Sequence, residues 1–254
     1  MGIIMLKLAG PLQSWGDSSR FTTRATRQEP TKSGIVGMAA AALGRKRTEK
    51  IDDLAALMFA VRIDQPGGFL RDFQTAHKWK WYSEDVMHRN LPQVGTSMPL
   101  SQRYYLTDAV FVAALRAEGQ LFNDLVDAFE HPRYALYLGR RSCPPACKVL
   151  LSTFESNDMM QAMAEIPWQA SSTYQRNWRR KHPLDNTVRL GVFRDALPDD
   201  DSSLLRETVR DVPLSFSQVK RDYSWRTVIH DSVALMPSLP PRAIHDPWAA
   251  LEEV

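Results

Sequence analysis

A short apolar run, Ile3 to Leu8, stops at Gly10-Pro11 and is followed, after a long polar loop reaching Glu29, by apolar residues at helical spacing. The run is partly β-branched and reads as a strand, while Gly-Pro marks the turn into a loop. Pro30-Thr31-Lys32-Ser33 then has the look of a helix start. Ile35, Val36, Met38, Ala39 and Leu43 give that helix an apolar face, and Gly44 stops it.

The same reading carries down the chain. Ile51 to Leu57 fits a short helix, Met58 to Ile63 a strand, and Gln65-Pro66-Gly67-Gly68 a turn. From Arg71 to Arg103 there is no sustained core periodicity, and Pro92, Gly95 and Pro99 interrupt it, so this stretch reads as a protruding excursion. Tyr104 to Leu106 and Ala109 to Leu115 are strand material; Leu121, Leu125, Val126 and Phe129 form one helix face; Lys148 to Phe154 is a last strand. Strand, helix, strand, excursion, strand, helix, strand is the order of a split β-α-β unit, so the expected class is α+β with a ferredoxin-like, RRM-like domain over residues 1–154. Residues 155–254 read as a smaller β-rich C-terminal region with strands at Thr187 to Phe193 and Ser224 to Ile229.

Signatures of catalysis are missing. There is no phosphate-binding Walker loop, G-x-G-x-x-G, G-x-S-x-G or H-E-x-x-H. The six histidines are scattered, and Cys143 and Cys147 lack the spacing and the second pair that a zinc site needs. No catalytic residue, metal or cofactor is expected. The apolar start is broken by Lys7 and is too short for a membrane span or signal peptide, which points to a cytoplasmic protein without a membrane partner. A net charge of +3 is modest, so any hold on a polyanion must come from local clusters.

Such clusters exist. Arg20, Arg24, Arg27, Lys32, Arg45, Lys46 and Arg47 surround the first helix and its entry loop. A helix N-terminus offers free N–H groups to an anion, with Lys32 beside it and Ser33 able to contact a phosphate; capping alone accounts for Thr31 and Ser33 equally well. Trp15, after Gln13-Ser14, can stack on a base or pack over a sheet edge. The excursion interleaves His77, Lys78, Trp79, Lys80, Trp81, Tyr82, His88, Arg89 and Arg103, mixing the cations that phosphates need with rings on which bases stack. Gly139-Arg140-Arg141 sets two guanidinium groups in a loop followed by Pro144-Pro145. Gln175 to Lys181 is a further basic run, read as a solvated face.

Leu8 to Gly16, Pro30 to Gly37, Arg103 to Phe111 and Tyr137 to Pro144 together resemble, in order, the signatures of the Cas-five (CasD) family of type I-E CRISPR Cascade subunits. The resemblance covers roughly the first three fifths of the chain. It implies a RAMP-superfamily fold with a protruding β-hairpin thumb, here at about 71–103, and a non-catalytic role at the 5′ handle of the CRISPR RNA. The implied partners are that handle, the Cascade backbone subunits and large subunit, and target DNA through the assembled complex. The RNA-binding residues expected on these grounds are Gln13, Ser14, Trp15, Arg20, Arg24, Lys32, Ser33, Arg45, Lys46, Arg47, His77, Lys78, Trp79, Arg103, Arg140 and Arg141. The competing reading is a metal-independent endoribonuclease, the activity of a type I-C branch of the same family, for which His77, Lys78 and Tyr82 could supply acid and base. A protein-only scaffold is a third.

Overall fold

The computed structural model describes residues 1–16, 22–79, 95–217, 219 and 221–236. In chain order the strands are β1 (Gly2–Ala9), β2 (Leu12–Gln13), β3 (Thr23–Arg24), β4 (Met58–Gln65), β5 (Gly68–Gln74), β6 (His77–Trp79), β7 (Gly95–Ser97), β8 (Ser101–Thr107), β9 (Val110–Ala117), β10 (Leu150–Phe154), β11 (Val188–Asp195), β12 (Arg206–Ser215) and β13 (Asp222–Leu235). The helices are α1 (Lys32–Ala42), α2 (Asp52–Ala55), α3 (Gly119–Glu130), α4 (Met159–Glu165) and α5 (Ser172–Lys181).

Seven strands form one antiparallel sheet in the order β10-β1-β9-β4-β11-β13-β12. Alternate side chains of each strand serve opposite layers. Ile4, Leu6 and Leu8 of β1 join the core under α1 and α3, whereas Ile3 and Met5 join the core under α4 and α5. With both faces covered, β1 has no polar face to show, which is why its sequence is an apolar run interrupted only by the half-buried Lys7 instead of an alternation.

β11 bonds directly to β4, Val192 opposite Arg62 and Phe193 opposite Val61, so the strands after residue 155 extend the sheet begun by the earlier ones. The C-terminal stretch also supplies two helices, α4 and α5, that its sequence did not announce. On α5 only Tyr174 and Trp178 pack inward, too few to make an apolar period. β12 was missed as well. It is the edge strand, and an edge tolerates Pro213 and the register shifts beside it.

The excursion from Arg71 to Arg103 is broader than read from sequence. β5 and β8 pair from Gly68 opposite Thr107 to Gln74 opposite Ser101, and β6 and β7 continue the ladder. Its residues 80–94, with Trp81, Tyr82, His88 and Arg89, lie outside those described, as does Arg20.

Candidate nucleic-acid interface

Three sequence-distant segments interlock beside α1. Gln13, fully buried, donates through its amide to the carbonyls of Leu8 (3.0 Å) and Ala109 (2.8 Å) and accepts the Trp15 indole N–H at 3.0 Å. The Trp15 ring lies against Gly34, where a Cβ would come within 2.8 Å of it. Gly139, at φ +87°, sits so close over the chain that a Cβ there would fall 1.8 Å from the Ser14 carbonyl oxygen. Ser14 completes the joint by donating its N–H to the Leu138 carbonyl at 3.1 Å and its hydroxyl to the Tyr104 carbonyl at 3.1 Å. Gln13, Ser14 and Trp15 are thus frame residues: Trp15 is 1% exposed and offers little ring surface for stacking, while Ser14 and Trp15 border the groove described below.

Lys32 is part of the frame as well. It is buried, and its ammonium donates to Asp195 Oδ2 at 3.0 Å while its main-chain N–H donates to Asp211 Oδ2 at 2.7 Å. Arg226 closes the ring, reaching Asp195 at 2.6 Å and Asp211 at 2.6 and 2.9 Å. The anion expected at the helix N-terminus is therefore one the protein supplies itself. Thr31 is the N-cap, accepting from the Gly34 N–H at 3.2 Å, and Ser33 is left half-buried beside it. Asp195, Asp211 and Arg226 escaped the sequence reading because each meets the others only across three neighbouring strands.

Arg140 is a staple. Its guanidinium lies 4.9 Å from the Tyr105 ring centroid and donates to the carbonyls of Arg24 (3.0 Å) and Tyr104 (3.3 Å), tying β3 to β8. Arg24 is exposed on β3 and stands opposite Arg103 of β8. The Arg103 Nε is buried without a hydrogen-bond partner among the described residues. His77, Lys78 and Trp79 are placed as backbone on β6, opposite Ser97, Thr96 and Gly95 of β7.

Against this frame opens a groove of about 660 Å³. Its floor is the α1 face carrying Gly34, Gly37, Ala40 and Ala41, whose side chains are too small to fill it, with Met38 beside them; Phe216 comes to 3.5 Å of where a Cβ on Gly37 would stand. Ser33 stands at one end. Arg45, Lys46, Arg47, Arg141 and Arg221 supply cations, and Tyr134, Tyr137, Phe216 and Tyr223 supply rings. No acidic side chain lines it among the described residues. Arg45 already grips Asp53, whose hydrogen bonds hold the guanidinium fully charged, but Lys46, Arg47, Arg141 and Arg221 form no ion pair with another described residue. The sequence reading missed Tyr134, Phe216, Arg221 and Tyr223.

Cys143 is buried, and burial pushes its thiol pKa up, so it is a core residue; Cys147 is exposed. Among the described residues no three His, Cys, Asp or Glu side chains could hold a metal ion, and no helix is long and apolar enough to cross a membrane.

The sequence model of the family described as CRISPR-associated protein (Cas_Cas5) matches residues 3–229. The chain is 33% identical over 200 residues to the CRISPR system Cascade subunit CasD of Escherichia coli strain K12, covering 73% of this chain and 86% of that protein. Among solved structures it is similar to a chain of a CRISPR RNA-guided surveillance complex, with 28% identity, a TM-score of 0.68 and coverage of 99% and 100%. It is also similar to a crystal structure of a Cas protein, with 29% identity, a TM-score of 0.64 and coverage of 94% and 100%. A match over nearly the whole chain, with the same fold, means that the chain belongs to the Cas5 family of CRISPR-associated proteins.

Proposed function

We propose that the chain is a non-catalytic CRISPR RNA-binding subunit of a type I-E Cascade complex that caps the 5′ handle of the guide and helps assemble the surveillance complex in the cytoplasm. The observation that carries this reading is the groove on α1: among the described residues it is lined by four cations without an ion pair, by the rings of Tyr134, Tyr137, Phe216 and Tyr223 beside the buried Trp15, by a floor of mostly small residues, and by no acidic side chain. Phosphates are attracted by such cations, bases stack on such rings, and a small-residue floor lets a backbone come close. Similarity to CasD, a Cascade subunit, favours the assembly.

The order β10-β1-β9-β4, with α1 and α3 packed in the same core layer, supports a ferredoxin-like RAMP unit within residues 1–154, to whose edge residues 155–254 add strands. The β5–β8 ladder continued by β6 and β7 suits a thumb directed at backbone subunits and the large subunit. Target DNA would be read by guide pairing, with the protein supplying shape and charge.

Binding is favoured over endoribonuclease chemistry because the resemblance is to the type I-E branch, where a separate subunit cuts, and because neither His77 nor Lys78 is among the described residues that line the groove. The test incubates the purified chain with repeat RNA in EDTA and follows binding by anisotropy across a salt series. Intact RNA, bound with an affinity that falls steeply with salt, is expected. A discrete cleavage product overturns the non-catalytic reading, and salt-independent binding overturns the groove.

A further inference from the structure

We propose that the outer face of α5 binds the phosphodiester backbone of a second nucleic acid, on the side of the sheet opposite the groove. The inference rests on α5 alone and holds whether or not the groove takes the handle.

Thr173, Arg176, Asn177, Arg180 and Lys181 follow the i, i+3, i+4, i+7, i+8 spacing of one helical stripe, and all five are exposed. Tyr174 and Trp178 turn inward, against the core that contains Met159, Val188 and Leu190, whereas α1 and its groove belong to the other core. The stripe is made of hydrogen-bond donors and cations and has no carboxylate. Arg180 and Lys181 form no ion pair with another described residue, and the Arg176 guanidinium reaches only the Thr173 hydroxyl, at 3.1 Å.

Two bland explanations fall short. Complementing the helix dipole accounts for cations in the last turn, Arg179 to Lys181, but not for Arg176 in the middle of the helix. A solvated helix face gains from opposite charges at i, i+4, yet here Arg176 and Arg180 are like charges at that spacing, which destabilises a helix in water. A polyanion reverses the sign of that term. The rise of 1.5 Å per residue puts Arg176 and Arg180 roughly 6 Å apart along the axis, about two of the 3.4 Å phosphate steps along one strand of a DNA duplex.

The helix is also held as a rigid platform. Ser171 caps it by accepting from the Tyr174 N–H at 3.2 Å and is pinned to Gln65 of β4 through its N–H (3.1 Å) and hydroxyl (3.0 Å). Just upstream, the fully buried Arg62 holds Asp64 at 2.7 and 2.8 Å and donates to the Ile166 carbonyl at 2.8 Å, while Asp64 accepts the Gln169 N–H at 2.6 Å. At the far end His182 stacks on Trp178, 4.9 Å between centroids. Cations on a fixed helix lose little freedom when they meet phosphates.

The test compares the full-length chain with a variant carrying Arg176→Ala, Arg180→Ala and Lys181→Ala, using a 25-base-pair DNA duplex and a single-stranded repeat RNA as separate probes across a salt series. Expected is a loss of duplex affinity on the order of ten-fold near 0.1 M salt, with the log–log salt slope reduced by about 3 and RNA binding unchanged. Unchanged duplex affinity and slope overturn the proposal. So does a loss that falls on the RNA instead, which would make α5 part of the guide's own path. Unchanged binding of both probes with loss of a co-purifying protein would make the stripe a protein contact. Failure of the groove reading is visible separately, in a Lys46→Glu, Arg47→Glu variant that still binds RNA normally.

Discussion

The carboxylate of Asp211 accepts the main-chain N–H of Lys32 at 2.7 Å, so the N-terminus of α1 is occupied by an anion from β12. The Lys32 ammonium is spent in the same ring on Asp195. What resembles a phosphate cradle in sequence is the bolt that fastens α1 to the three strands β11, β12 and β13.

Lys32→Glu therefore acts on stability before it acts on any ligand. It places a carboxylate against Asp195 and Asp211 with only Arg226 to balance all three, and breaking a buried pair in this way costs roughly 3–5 kcal/mol. Urea unfolding should show a midpoint lowered accordingly. A soluble Lys32→Glu protein with an unchanged midpoint but weakened RNA binding would restore Lys32 to the interface.

Gly139→Ala should fail for backbone reasons. The left-handed conformation at φ +87° costs a residue with a Cβ roughly 1–2 kcal/mol, and the new methyl must also be moved off the Ser14 carbonyl, 1.8 Å away. At about 2–4 °C per kcal/mol for a chain of this size, melting should fall by several degrees. Gly119→Ala is the comparison: φ is +55° there, but nothing lies within 4 Å of the added methyl, so it should cost less. Equal losses at the two positions would mean that the contact with Ser14 does not matter.

These two positions also show what a sequence does and does not carry. The α1 helix and strands β1, β4, β9 and β10 were legible because both their periods and their stop signals are local. The family signatures around Trp15, Lys32 and Gly139 were legible as signatures, but their meaning was not: a buried tryptophan and a base-stacking one look alike until its neighbours across the fold are known. Lys32 reads as a free cation because Asp195, Asp211 and Arg226 are more than 160 residues away in the chain. The opposite error affected Arg221 and Tyr223, which face the groove only because β13 returns beside β12.

Charge reversal at the groove should separate binding from folding. Lys46 and Arg47 are exposed and partnerless among the described residues, so Lys46→Glu with Arg47→Glu should leave melting within about 1–2 °C of wild type, in keeping with surface substitutions. RNA affinity should drop at least ten-fold near 0.1 M salt, and the salt slope should fall by about 2. Arg140→Ala should do the reverse, lowering melting by freeing the Arg24 and Tyr104 carbonyls while leaving the salt slope nearly unchanged. If the two variants exchange phenotypes, Arg140 is the RNA contact and the groove cations are not.

A pH series tests the ion pair that anchors the loop after β11. Arg194 donates to both oxygens of Asp200, at 2.8 and 2.7 Å, and these hydrogen bonds hold the Asp200 carboxyl below the usual carboxylate range. A carboxyl depressed in the folded state contributes stability above its unfolded pKa of about 3.9, and that contribution is lost as pH falls through the lower folded value. Asp200→Asn should therefore lower melting most near pH 7, where the full contribution is present in the wild type. The gap between the two proteins should narrow below about pH 4 and close once the wild-type carboxyl is protonated. Melting curves that stay parallel from pH 7 to pH 3 would mean that the Arg194–Asp200 contact contributes through shape and not through charge.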